Sequence, residues 1–230
     1  LFIDSFETEL HASRGSVSAV YSTALVSLTV AVLVGHPLFR RLSGSFIVLI
    51  VSGGAAGGLL IAAWSSLLGG VIVGYGIIFG AANGLGYAFS LQRAAEANPE
   101  RRGFALGWVT AAYAFGAAAA AALLDGLIES AGTSRALRSL ALVITSAGLT
   151  AAFLLAGSGR SSSVGQEQIG PPVLRQLVGR LWAGYGLATV AGLMTLGHAA
   201  AIVDQAGGPG NAATVLAGCA SGAGGIWVAL

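Results

Sequence analysis

Long apolar runs, each nearly free of charge, alternate along this chain with short stretches that hold almost all of its arginines. That rhythm constrains the fold more than any single motif. Of the 230 residues, 55% are hydrophobic and 9% are charged, whereas a domain that faces water carries about 25% charged residues. The mean hydropathy is +0.82. A chain with so few charges cannot cover itself for water, so its solvent is largely lipid. A helix crosses the hydrocarbon core, about 30 Å thick, with about 20 apolar residues. Runs of this kind lie at about 17–35, 46–66, 69–91, 104–124, 139–157 and 181–203, and a shorter one at 213–230. Closed barrels, the other spanning solution, need alternating strands of about ten residues. These runs are too long and continuous for that, so the expected class is an all-α polytopic membrane protein.

All eleven basic residues are arginine. One set of alternate connections holds Arg40, Arg41, Arg93, Arg101, Arg102, Arg160, Arg175 and Arg180 against Glu96, Glu100 and Glu167. The opposite set holds Arg14, Arg135 and Arg138 against Asp4, Glu7, Glu9, Asp125, Glu129 and Asp204. Arginine-rich loops stay in the cytoplasm. Residues 36–45, 92–103 and 158–180 are therefore expected inside, and 1–16 and 125–138 outside. The net charge of +2 gives no reason to expect a nucleic-acid partner.

The stretch 158–180 is longer and more polar than the other connections, with Ser161, Ser162, Ser163, Gln166, Gln168, Pro171 and Pro172. It reads as a linker. It divides 1–157, a first helical half, from 181–230, the start of a second. The chain opens without Met and ends within an apolar run. With an external start, one further helix is expected before Leu1. Six helices, a linker and a second half form the layout of transporters built from two repeats. In the third run Gly70, Gly74, Gly76, Gly80, Gly84 and Gly86 give small-xxx-small spacing, which lets helix backbones approach closely. Cys219, the single cysteine, has no intrachain partner for a disulfide and reads as a small buried residue.

The segment 84–116, GLGYAFSLQRAAEANPERRGFALGWVTAAYAFG, resembles the fourth helix, cytoplasmic loop and fifth helix of the major facilitator superfamily. Within it, the segment is most similar to the oxalate/formate antiporter branch, which carries GLGY, a loop ending WFPxxRG and a Gly-rich helix. Pro99, Arg101, Arg102 and Gly103 match the loop, with Ala97 and Asn98 in place of the aromatic pair. Gly192 to Ala200 is similar to the seventh helix of that branch. The resemblance implies a fragment from the end of helix one to part of helix eight, and transport of a small mono- or dicarboxylate by alternating access. It further implies a multi-pass setting in the cell membrane, a bacterial inner membrane, and coupling to protons or a counter-anion. Two departures stand out. Phe39, within Gly35-His36-Pro37-Leu38-Phe39-Arg40-Arg41, occupies the Asp position of the superfamily's loop motif. Gly225 stands where the oxalate pattern has an arginine, so oxalate itself is not the expected cargo.

The resemblance places Tyr87 and Tyr113 with cavity-lining tyrosines of the branch. A tyrosine supplies an apolar wall and one hydroxyl. Asn83 lies one turn before Tyr87 on the same face. Ser18 and Tyr21 are weaker candidates, and Trp108 reads as packing. His198 is an ionisable group inside an apolar run, which is expensive and often functional. Its alternative is a histidine bonded to a nearby carbonyl. Arg40, Arg41, Arg101 and Arg102 are candidates for a cytoplasmic gate, or serve topology and lipid headgroup contact. No nucleophile elbow, Walker or HExxH pattern is present, and neither enzyme activity, cofactor nor metal is expected. A drug or sugar carrier of the same fold and a non-transporting membrane subunit are the alternatives. An ATP-driven permease subunit fits hydropathy alone, without a coupling-helix sequence in the loop between the third and fourth runs.

The topology has a direct check. In a Cys219-free protein, single cysteines at Gly165 and Ser130 should label from the inside and the outside respectively; the reverse accessibility would sink the assignment.

Overall fold

In the computed structural model, the described residues are 13–157, with Gly207 and Cys219 as isolated positions beyond them. The linker at 158–180, the run at 181–203 and His198 lie outside the described residues. Six helices follow in order: α1 Arg14–Val34, α2 His36–Arg41, α3 Gly44–Trp64, α4 Leu68–Ala97, α5 Arg102–Ala131 and α6 Thr133–Gly157. No described residue is in a strand. All but the short α2 are long and apolar enough to cross a membrane. The described part of the chain, 13–157, is built of helices and short connections, and the chain reads as a multi-pass membrane protein.

Serines start two of these helices. Ser13 Oγ accepts from the Ser16 N–H at 3.3 Å, and Ser43 Oγ from the Phe46 N–H at 3.4 Å, each satisfying a donor that the first turn leaves open. The ends differ from the sequence expectation. The connection expected at 92–103 shrinks to 98–101, because α4 continues through Ala97. Its extension is made of helix formers, with Gln92 and Arg93 both bonded to Glu96 at 2.8 and 3.1 Å. The helix stops at Asn98, before Pro99, where the proline ring disfavours helical geometry. The connection expected at 125–138 shrinks to Gly132 alone. Gly132 has φ 82° and ψ 161°, and its N–H bonds to the Ile128 carbonyl at 3.0 Å, a positive-φ cap that only glycine adopts freely. Asp125, Glu129, Arg135 and Arg138 are thus on helix ends.

α4 is not α-helical throughout. Ile72–Phe79 forms a π-helix between two α segments. Around it the glycines make the closest approaches of the bundle. A Cβ at Gly76 would stand 3.1 Å from the Thr23 side chain, one at Gly80 would stand 2.7 Å from the Ala24 carbonyl oxygen, and one at Gly84 would collide with the Leu28 backbone. These three seat α4 directly on α1. Gly74 faces Gly58 of α3 in the same way, and Gly148 of α6 sits against Ser52 of α3. A core of Val17, Val20, Ala56, Leu59, Ala62, Ala63, Val71, Leu137 and Ala141 joins α1, α3, α4 and α6. α5 packs on the side of this group, turning Ala105, Ala111, Ala118 and Leu124 inward.

Within the spans, most hydroxyls bond to their own helix. Thr23, Thr29, Ser52, Ser90, Thr145 and Thr150 each donate to the carbonyl four residues earlier, at 2.7 to 2.9 Å. This satisfies them without water.

Replacing Gly80 or Gly84 with valine should force α4 off α1 and destabilise the protein by about 1–3 kcal/mol or more. Gly57→Ala, where no atom lies within 4 Å of the new Cβ, should leave thermal unfolding in detergent unchanged or slightly raised. Equal unfolding temperatures for all three variants would contradict the seating of α4.

Candidate functional site

Three of the four residues picked from sequence as cargo-binding come together. Asn83 and Tyr87 are one turn apart on α4, and Tyr113 is on α5. Asn83 Nδ2 donates to the Tyr113 hydroxyl at 2.9 Å. The Tyr87 hydroxyl lies 3.5 Å from Thr110 Oγ1, a long hydrogen bond. The two bonds cross between antiparallel helices, the earlier residue of α4 meeting the later residue of α5. The tyrosine rings are tilted at 55° with centroids 5.0 Å apart. Tyr113 stays 44% exposed, so its ring borders open space. Charged side chains are absent from these contacts among the described residues.

Two further tyrosines belong to the same region. Tyr21 on α1 and Tyr75 on α4 are within electrostatic reach of Tyr113 and of each other. Tyr75 stacks on Phe79 at 5.0 Å inside the π segment. Sequence reasoning gave Tyr21 little weight and missed Tyr75 and Thr110. Thr110 is three residues before Tyr113, so the face shared by Asn83 and Tyr87 had a matching face on α5 that spacing alone would have revealed. Tyr75 carried no such signal, because the π segment changes which residues share a face. Ser18 lines a shallow open depression on α1 with Gly15, Ala19, Ser22, Thr23 and Val26, apart from the tyrosine contacts. Trp108 is 51% exposed, edge-on to Phe104 with centroids 6.2 Å apart.

The basic candidates gather at one end of the bundle. Arg40 and Arg41 close α2, Arg101 precedes α5 and Arg102 begins it, and all four are exposed. No ion pair joins any of them to another described residue. An aromatic contact stands nearby instead. Phe39 packs on Phe89 with centroids 5.6 Å apart, and the Arg93 guanidinium lies 5.9 Å over the Phe89 ring. Arg93 also pairs with Glu96 at 3.1 Å. Phe39 and Phe89 thus tie α2 to α4 at the position where the sequence resemblance would place a carboxylate. At the opposite end Arg138 lies 6.0 Å over the ring of Trp64, which is 68% exposed, as suits an interface. Among the described residues no group of His, Cys, Asp and Glu could hold a metal ion.

Compared with protein-family models, curated proteins and solved structures, the chain matches none.

Proposed function

We propose that this chain is part of a secondary transporter of the major facilitator kind, which moves a small mono- or dicarboxylate across the cell membrane by alternating access. The cargo sits against Tyr87 and Tyr113. The observation that carries this reading is the crossed pair of contacts, Asn83 to Tyr113 and Tyr87 to Thr110, between two apolar spans. Polar side chains within apolar spans need partners, and this pair meets across two helices with the Tyr113 ring still open to a cargo. The sequence resemblance over 84–116, the arginine asymmetry and the linker at 158–180 support the same reading. The halves 1–157 and 181–230 would rock about a central cavity, with a proton or a counter-anion as the coupled species. A sugar or drug carrier of the same fold is the second reading, favoured by the uncharged contacts of the tyrosine pair. A bacterial inner membrane is the expected setting.

Flux of labelled carboxylates into proteoliposomes holding the full-length protein tests this. Tyr87→Ala and Tyr113→Ala should each lower flux or raise KM by about tenfold, the equivalent of one or two lost hydrogen bonds, with membrane expression retained. Wild-type flux and KM in both variants would reject them as cargo residues.

An anion buried without a cation pays heavily in desolvation. If protonated His198 supplies the charge, flux should rise as pH falls through about 6.5, the usual histidine range, and His198→Gln should flatten the profile. Flux that is independent of pH between about 5 and 8, with His198→Gln fully active, would end the histidine reading.

A further inference from the structure

A polar side chain near a cargo acts either by touching it or by aiming another that does. Asn83 and Tyr113 are placed differently for these two tasks. Tyr113 is 44% exposed, whereas the Asn83 amide is engaged with the Tyr113 hydroxyl at 2.9 Å. A phenol can take an amide N–H or give its proton to an amide carbonyl, and in either sense the bond fixes the phenol oxygen. The two residues also stand on helices held to different degrees. Asn83 lies between Gly80 and Gly84, where an added Cβ would meet the Ala24 and Leu28 backbones of α1, so its backbone has little freedom. Tyr113 stands on α5, the long described helix least held by its neighbours. Its hydroxyl is at the far end of a ring, where a small tilt of helix or side chain becomes a large displacement. The contact with the Tyr87 ring, centroids 5.0 Å apart, is dispersive and sets no direction. The hydrogen bond does set one.

We propose that Asn83 is a positioning residue: from the seated helix α4 it aims the Tyr113 hydroxyl at the cargo and does not touch the cargo itself. This rests on the reading of Tyr113 as a cargo residue and gives Asn83 its part in that site. A short side chain on the firmly held helix fixes the reach of a long one on the loosely held helix. A hydroxyl that is already held meets the cargo without a further loss of freedom, whereas a free one must be ordered as the cargo binds. The consequence is specific. Asn83 matters to the cargo only through the Tyr113 oxygen, and it matters to affinity more than to the rate of the transport cycle.

The test is a double-variant cycle on the full-length protein in proteoliposomes, with labelled formate, acetate, lactate and succinate as probes. For the carboxylate that the wild type carries best, Asn83→Leu and Tyr113→Phe should each raise KM by about tenfold. In the Tyr113→Phe background, Asn83→Leu should change KM by less than about twofold, because nothing is left to aim. Maximal flux per folded transporter should change less than KM. A merely structural loss would lower the yield of folded protein and leave KM where it was. Asn83→Gln keeps the amide on an arm one methylene longer and guards against a failure of Asn83→Leu to fold. Alone it should give a KM between those of the wild type and Tyr113→Phe, and in the Tyr113→Phe background it too should change nothing. Effects that multiply, to about a hundredfold in the double variant, overturn the assignment, because Asn83 then meets the cargo itself. Wild-type KM in Asn83→Leu beside an impaired Tyr113→Phe also overturns it. Both results leave the cargo-site reading standing. Wild-type KM in Tyr113→Phe, or no flux of any of the probes, overturns the assignment together with that reading.

Discussion

The backbone of α4 rests on the backbone of α1 with no side chain between them at Gly80 and Gly84, and against the Thr23 side chain at Gly76, and the rest of the bundle depends on that contact. In lipid there is no hydrophobic gain from bringing two apolar helices together, since the tails outside are as apolar as the partner. What remains is dispersion, which grows steeply as surfaces close. Glycine at every fourth position removes the Cβ atoms that would hold the helices apart. Gly74 against Gly58 and Gly148 against Ser52 extend the same device to α3 and α6. These helices form one tightly packed unit whose buried residues are mostly alanine, valine and leucine.

The site inherits its position from that unit. Asn83 and Tyr87 lie on α4 next to the glycines that seat it on α1, on a face that meets α5. Tyr113 and Thr110 on α5 meet it there. The wide turns of the π segment lie immediately upstream. Within and beyond it Gly74 faces α3 while Gly76, Gly80 and Gly84 face α1, two partners on different sides of one helix, as the two-residue step from Gly74 to Gly76 already provides. π turns inside α-helices recur at functional positions, and here the segment also holds Tyr75.

Much of this was legible in the residues. Hydropathy located every long described helix to within several residues, because the thickness of a bilayer sets a length that composition must match. The glycine spacing foretold close helix crossings, and the four-residue step from Asn83 to Tyr87 foretold a shared face. Three things were not legible. Hydropathy falls where water begins, but hydrogen bonding does not, so α4 runs on past the apolar stretch through Arg93 and Glu96 to the proline. The π segment leaves no mark in a run of Ile, Val, Gly and Tyr. The role of Phe39 was also hidden: as a departure from an acidic motif position it read as a lost contact, whereas in three dimensions it finds Phe89, with Arg93 over the far ring.

The strengths of these contacts differ, and the difference places a seam in the bundle. Thr23, Ser52 and Thr145 satisfy themselves on their own helices, so they bind no helix to another. Asn83 has an amide that helical carbonyls alone cannot fully serve, and it reaches across to Tyr113. Such a bond between spans is worth only about 0.6 kcal/mol on average, because polar groups find other partners when helices separate. Beside it the Tyr87 and Tyr113 rings pack on each other across the two helices. α4 is therefore held to α1 by an extended backbone contact and to α5 by one ring pair and two hydrogen bonds, one of them long. A bundle that deforms does so first where contacts are fewest and most easily exchanged. Among the long described helices α5 is the one least held by its neighbours, and its side toward α4 is where the polar residues lie.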